Sequence, residues 1–193
     1  DLIDLSDYKK IHIVGCGTAY HAGLVGKYLI ENYSDIEIDV FIASEYRYQK
    51  LFVNEDTLVI VVSQSGETAD TLACLKRVKE LGAKTFGIVN VRNSSIARMV
   101  DEVIYTEALQ EVAVASTKAY TSQITLLAIL AIHFAEVLDK NLDKAEELKN
   151  DILLLPNQVE EVLKTTDQIK SFAQKVYKEK DMFFIGRGAD YTV

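Results

Sequence analysis

"LVIVVSQSGETAD", residues 58–70, decides how this chain folds. Four β-branched residues in a row, Val59 to Val62, make a run of strand length with no polar face. Such a run belongs to a strand buried on both sides, as in a parallel sheet covered by helices. The run stops at Ser63 and gives way to Gln64, Ser65, Gly66, Glu67 and Thr68, after which "TLACLKRVKEL" carries helical spacing. Strand, glycine turn and helix in succession predict one half of a β-α-β crossover, with a helix expected over 67–81.

The same alternation continues on either side. "IHIVG" (11–15), "DVFIA" (39–43), "TFGIV" (85–89) and "EVIYT" (102–106) read as strands, with helical patterns near 19–33, 44–50, from about 94, and over 117–138. Right-handed crossovers then give a doubly wound α/β sandwich on five parallel strands. From Asp143 the chain becomes charged and glycine-free, with Leu148, Ile152, Leu155, Val159, Val162 and Leu163 at helical spacing, and Pro156 is expected to break or kink that helix. "MFFIGRG" (182–188) repeats the pattern of "IHIVGCG" (11–17). Three parts are therefore expected: a domain over 1–140, a helical linker over 141–180, and the first strand and turn of a second, truncated copy over 181–193. The opening at Asp1 and the stop just past a turn suggest a piece of something longer.

Of the 193 residues 49% are hydrophobic and 26% charged, a profile for one sizeable soluble domain. The net charge of −8 argues against nucleic acid, which needs a basic face to displace counterions. The apolar block 124–135 is too short to span a bilayer, so no membrane role is expected. Two cysteines, Cys16 and Cys74, make no disulfide framework and fit a reducing, cytoplasmic setting.

In a doubly wound sheet ligands bind beyond the carboxyl ends of the strands, where three segments should meet. In "GCGTAYHAG" (15–23), Gly15 and Gly17 allow a tight turn and Thr18 is placed to cap the next helix. A dinucleotide fingerprint would need glycine where Tyr20 stands, and would be obstructed by that ring. In the 63–68 turn, Ser63, Ser65 and Thr68 surround a helix start whose free N–H groups carry partial positive charge, a cradle for a phosphate monoester that needs no cation. Capping by Ser65 alone accounts for one hydroxyl of the three. Glu67 reads as a dipole partner in the first helical turn. The third segment, "EVAVASTKAY" (111–120), brings Ser116 and Thr117 to another helix start. Cys16 and Cys74 read as packing residues and His133 as a satisfied core residue; the three histidines have no metal-ligand spacing. The turn also lacks the G-x-S-x-G elbow of a serine hydrolase.

"CGTAYHAG", "ASEYRY", "SQSGETADTL" and "VASTKAYTSQ", in this order and spacing, resemble the first sugar-isomerase (SIS) domain of the glutamine–fructose-6-phosphate aminotransferases, with "FFIGRGADY" similar to the start of their second. The resemblance implies a flavodoxin-like three-layer α-β-α sandwich. It implies an enzyme making glucosamine 6-phosphate from fructose 6-phosphate and glutamine, dimeric, without metal or organic cofactor. Ligands implied are fructose 6-phosphate, glucose 6-phosphate and glucosamine 6-phosphate. By position Ser63, Gln64, Ser65 and Thr68 would hold the phosphate with Thr18 beside them, while Cys16, Gly17, Val114, Ala115 and Ser116 would line the sugar. The family's serine after the threonine is Ala19 here, which removes one hydroxyl. Catalytic groups belong in this family to the second SIS and glutaminase domains, so the chain is expected to bind sugar phosphate and catalyse nothing alone. A phosphosugar-sensing regulator and another SIS isomerase or deglycase are the alternatives.

Overall fold

A computed structural model describes residues 8–113 and 115–193. Five strands, β1 (Lys10–Gly15), β2 (Ile38–Ile42), β3 (Thr57–Ser63), β4 (Lys84–Val89) and β5 (Glu102–Tyr105), form one sheet in the order β2-β1-β3-β4-β5. Every neighbouring pair is parallel. This is the doubly wound arrangement that the alternating pattern predicts, with each strand boundary within one residue of the expected one.

Five helices connect and cover these strands: α1 (Thr18–Ser34), α2 (Ala43–Tyr46), α3 (Ala69–Glu80), α4 (Ser95–Met99) and α5 (Lys118–Val137). Alternation along the strands divides the core into two layers. Ile11, Ile13, Leu58, Ile60 and Val62 pack under α1 and α5 against Ile30, Leu127, Leu130 and Phe134. Val14, Val59, Val61 and Val89 point the other way, onto Tyr46, Cys74, Leu75, Val78 and Ile96. The run at 58–62 carries no polar residue because both of its faces meet helices. Cys74 is wholly buried and its thiol is pushed up to about 12, chiefly by that burial, so it is an inert core group, as expected.

By length and composition α5 is one helix able to cross a membrane; the apolar stretch of 124–135 sits within a 20-residue helix. The short-block expectation is corrected in that respect. One side of α5 (Ala119, Leu127, Leu130, Ala131, Phe134) is nonetheless buried with the first core layer, as in the core helix of a globular domain. His133 departs from its expected role too: its Nε2 is buried and, among the described residues, has no hydrogen-bond partner.

Two further helices follow, α6 (Leu142–Leu163) and α7 (Thr166–Val176). Pro156 does not interrupt α6. The proline removes the N–H that would reach Ile152 O, and this stretch is exposed enough for solvent to serve the freed carbonyl. Ala145, Leu148 and Ile152 anchor α6 against Ile132 and Ala135 of α5. Residues 181–187 form no strand, contrary to expectation, and lead into the single turn α8 (Ala189–Thr192). A strand needs a partner for its backbone groups, and Phe183, Phe184 and Ile185 lie exposed and, among the described residues, pair with no strand.

His12 on β1 is buried with Nδ1 2.8 Å from the Tyr46 hydroxyl. Burial pushes this imidazole below its ordinary value; the Asp39 carboxylate opposes the shift and the Lys10 ammonium adds to it. Below about pH 6.5 the unfolded chain takes up a proton that the folded chain refuses, so stability falls as pH falls through that region, by at most about 1.4 kcal/mol per pH unit. Chemical denaturation at a series of pH values should show this slope in the wild type and a shallower one in His12→Gln.

Candidate functional site

Because each helix follows its strand, α1, α3 and α5 all begin at the carboxyl edge of the sheet. The turn from β3 to α3 is the most elaborate of the three. Ser63 ends β3 buried, and its Oγ accepts the Gly66 N–H at 3.0 Å while lying 3.4 Å from Thr68 Oγ1. Ser65 Oγ accepts the Glu67 N–H at 3.1 Å. Each serine oxygen is thus oriented from within the turn by a backbone donor; the Ser65 proton remains to be given elsewhere, and so does one proton of the Ser63–Thr68 pair, the other lying between those two hydroxyls.

These bonds correct two expectations. The helix begins at Ala69, with Thr68 as its N-cap in extended conformation, rather than at Glu67. The amides of Gly66 and Glu67 are already engaged, so the free donors of the helix start are those of the first turn after Thr68. Asp70 in that turn would oppose an incoming anion, but Arg47 Nη1 lies 2.7 Å from its carboxylate. Ser65 does not cap α3; it ties the turn two residues earlier.

Glu67 also has a different task from the one expected. Its Oε1 accepts the Ser95 N–H at 2.7 Å, and the Ile96 N–H reaches Gly66 O at 3.0 Å. The turn is thereby bolted to the start of α4, and the bonds from Ser95 hold the Glu67 carboxyl below its usual range. Glu67→Ala should leave the chain folded while speeding amide exchange several-fold at Ser95 and Ile96; unchanged exchange by NMR would remove this bolt.

At the first segment Gly17 is the N-cap of α1 with φ 55 and ψ −129, a conformation reserved in practice for glycine. Thr18 is the first helical residue and makes no capping bond, so its expected capping role is not observed. Cys16 is half-buried, 4.0 Å through Sγ from Thr71 Oγ1, which joins this turn to the first turns of α3. Ala19 is buried in the core layer under α1. The first two segments therefore meet.

The third segment stands apart in its bonding. Val114 lies outside the described residues, and Ala115 is exposed. Ser116 Oγ donates to Glu111 Oε2 at 3.3 Å, and among the described residues no hydrogen bond links it to the 63–68 turn. Gln64 lines a cavity of about 480 Å³ with Asn90, Arg92, Glu107 and Gln110. Arg92 pairs there with Glu107 and stacks on Tyr105, 4.5 Å from the ring centre. Asn90 fastens the loop after β5, accepting from Thr106 Oγ1 and Ala108 N at 2.9 Å each and donating to Leu109 O at 2.8 Å. Sequence reasoning passed over Asn90 and Arg92, although both directly follow the carboxyl end of β4, where ligands are expected. A larger cavity, about 560 Å³ between α5 and α6, contains none of the anticipated site residues. Among the described residues Tyr120 Oη and Gln123 Oε1 of α5 are buried without partners.

The SIS domain family matches residues 4–133, and the chain belongs to it. The chain is similar to members of one branch. It is 50% identical over 192 residues to the isomerizing glutamine–fructose-6-phosphate aminotransferase of Clostridium acetobutylicum, covering 98% of this chain and 31% of that protein. With the same enzyme of Clostridium tetani it shares 52% over 185 residues, 95% of this chain and 30% of the relative. The chain thus spans about a third of the length of these relatives. Among solved structures it superposes on the C-terminal domain of glucosamine-fructose-6-phosphate aminotransferase from Francisella tularensis with a TM-score of 0.88 and 38% identity, over 97% of this chain and 54% of that one.

Proposed function

We propose that the chain is the phosphosugar-binding first SIS domain of an isomerizing glutamine–fructose-6-phosphate aminotransferase, and that it holds fructose 6-phosphate by its phosphate at the 63–68 turn. The observation that carries this reading is the orientation of the two serines. A backbone N–H occupies one lone pair on each oxygen, so the Ser65 proton and one proton of the hydrogen-bonded Ser63–Thr68 pair are available to the oxygens of a phosphate monoester. The first turn of α3 adds unpartnered amides and the positive end of its dipole. Neutral donors suffice for a dianion in this setting, which accounts for the lack of lysine and arginine within the turn. Gln64 and the sugar-side residues Cys16, Gly17, Thr18, Val114, Ala115 and Ser116 complete the proposed contacts.

Two features support a place within a larger enzyme. Gly188 caps α8 with φ 64 and ψ −129, nearly the angles of Gly17 before α1; the 186–188 turn thus repeats the 15–17 turn in geometry as well as letters, as the opening of a second SIS domain would. Val159, Val162, Ile169 and Phe172 on α6 and α7 are exposed, in keeping with helices covered by a further domain or a second subunit. The 193-residue chain itself binds and does not turn over substrate in this reading. Calorimetric titration with fructose 6-phosphate and a coupled assay for glucosamine 6-phosphate with ammonia test both halves: the expected result is saturable binding without product. Absence of binding removes the first half, and product formation the second.

A further inference from the structure

Glu111 lies five residues before Ser116, in the loop that leads to α5, and its carboxylate faces that helix start. Oε1 accepts both the Thr117 N–H, at 3.0 Å, and the Thr117 Oγ1 hydroxyl, at 2.9 Å. Oε2 accepts the Ser116 hydroxyl, the longest of the three bonds at 3.3 Å. The Thr117 backbone bond most of all, then the Thr117 hydroxyl, the Ala119 backbone N–H and the Ser116 hydroxyl, hold the Glu111 carboxyl below its usual range against the opposing effect of burial. The residue is charged at neutral pH and acts only as an acceptor.

The consequence lies in the direction of the bonds. A serine hydroxyl has one proton and two lone pairs. Once its proton goes to Glu111, Ser116 can meet a ligand only through a lone pair. It is then the reverse of Ser65, whose oxygen accepts the Glu67 N–H and whose proton is left to be given. The two ends of the site are set to opposite polarity: donors for a phosphate at 63–68, an acceptor for a hydroxyl group at 116. We propose that Glu111 is a positioning residue that fixes Ser116 as an acceptor and so selects a ligand presenting an O–H there, such as a polyol chain. This rests on the sugar-phosphate reading above and extends it to hydroxyl recognition.

Glu111→Gln separates this role from simple bracing of the loop. The amide oxygen replaces Oε1 and keeps both Thr117 bonds, because two donors converge on that position and an NH₂ group would clash with them. The NH₂ then faces Ser116, which must accept from it and turn its own proton outward. Replacing a sugar hydroxyl by fluorine leaves an acceptor and removes a donor. In the full 193-residue chain, titration with fructose 6-phosphate and its monodeoxyfluoro analogues should show one position where fluorine weakens wild-type binding roughly tenfold, the size of one lost hydrogen bond with its partner left unpaired. That penalty should fall below about twofold in Glu111→Gln, with inorganic phosphate bound equally by both. Ser116→Ala, which leaves Glu111 in place, should erase the same penalty and covers the case of a Gln variant that does not fold.

A penalty that persists unchanged in Glu111→Gln or in Ser116→Ala overturns the proposal, as does a wild type indifferent to fluorine at every position. In both cases retained binding of fructose 6-phosphate leaves the phosphate reading intact. A wild type that binds neither fructose 6-phosphate nor inorganic phosphate removes both readings together.

Discussion

Gly66→Ala is expected to lower the melting temperature by roughly 5–15 °C and to abolish sugar-phosphate binding at temperatures where the variant still folds. Two separable costs produce this. Gly66 has φ +66, and a side chain in that region costs about 1–2 kcal/mol. A Cβ placed there would also lie 2.0 Å from Ser94 Oγ, 2.5 Å from Ser94 Cβ and 2.9 Å from Val89 Cγ1. Relieving such overlap costs about 1–3 kcal/mol in a packed site. The turn cannot shift freely to make room, because Gly66 N is held by Ser63 Oγ and Gly66 O by the Ile96 amide. The variant Ser94→Gly removes the two shortest contacts and, at an N-cap whose bond to Ala97 N is already long at 3.5 Å, costs only a few tenths of a kcal/mol. Gly66→Ala/Ser94→Gly should therefore recover about half of the lost melting temperature, the remainder being the backbone term. Scanning calorimetry of the three variants checks this. A Gly66→Ala protein as stable as wild type would mean that the turn does not have the conformation described.

The contrast between this turn and its surroundings shows what the sequence made legible. Val59 to Val62 announced a doubly covered strand because burial on both faces excludes polar residues locally, whereas the edge strands β2 and β5, only partly buried and carrying Asp39 and Glu102, were legible only as apolar runs alternating with helical patterns. Ser63, Ser65 and Thr68 stood out because three hydroxyls exceed what one helix cap uses. What could not be read was the partner of each polar group. Glu67 looked like a dipole partner of its own helix and instead receives Ser95, 28 residues away. Thr18 looked like a cap and is not one, since the chain reaches α1 through a glycine conformation that leaves no side-chain cap. The role of Glu111 was invisible because a carboxylate five residues before a serine has no fixed spacing to signal it. Periodicity reports burial; the pairing of donors with acceptors across loops depends on backbone geometry that spacing does not encode.

Loss of the hydroxyls at 65 and 68 should weaken fructose 6-phosphate binding in the 193-residue chain by roughly 10–100-fold each, the scale of a hydrogen bond to a charged group. The two substitutions are not equivalent. Thr68→Val keeps the shape of the side chain and the extended N-cap backbone of α3, so its loss measures the hydroxyl, including its 3.4 Å bond with Ser63 Oγ. Ser65→Ala also strips the acceptor of the Glu67 amide; part of its effect is a loosened turn, and Ser65→Thr, which restores the hydroxyl, should recover most of the affinity. Inorganic phosphate separates the anion from the sugar. If these side chains face the phosphate, phosphate affinity falls in step with that for the sugar ester, and the ratio of the two constants stays near the wild-type value. If they face the sugar ring, only the ester weakens. If wild type, Ser65→Ala and Thr68→Val all bind fructose 6-phosphate equally, the turn does not hold the ligand and the anion must sit elsewhere along the carboxyl edge of the sheet. The expected pattern is the first, because the backbone donor to Ser65 Oγ leaves that hydroxyl its proton to give, and one proton of the Ser63–Thr68 pair is likewise left over.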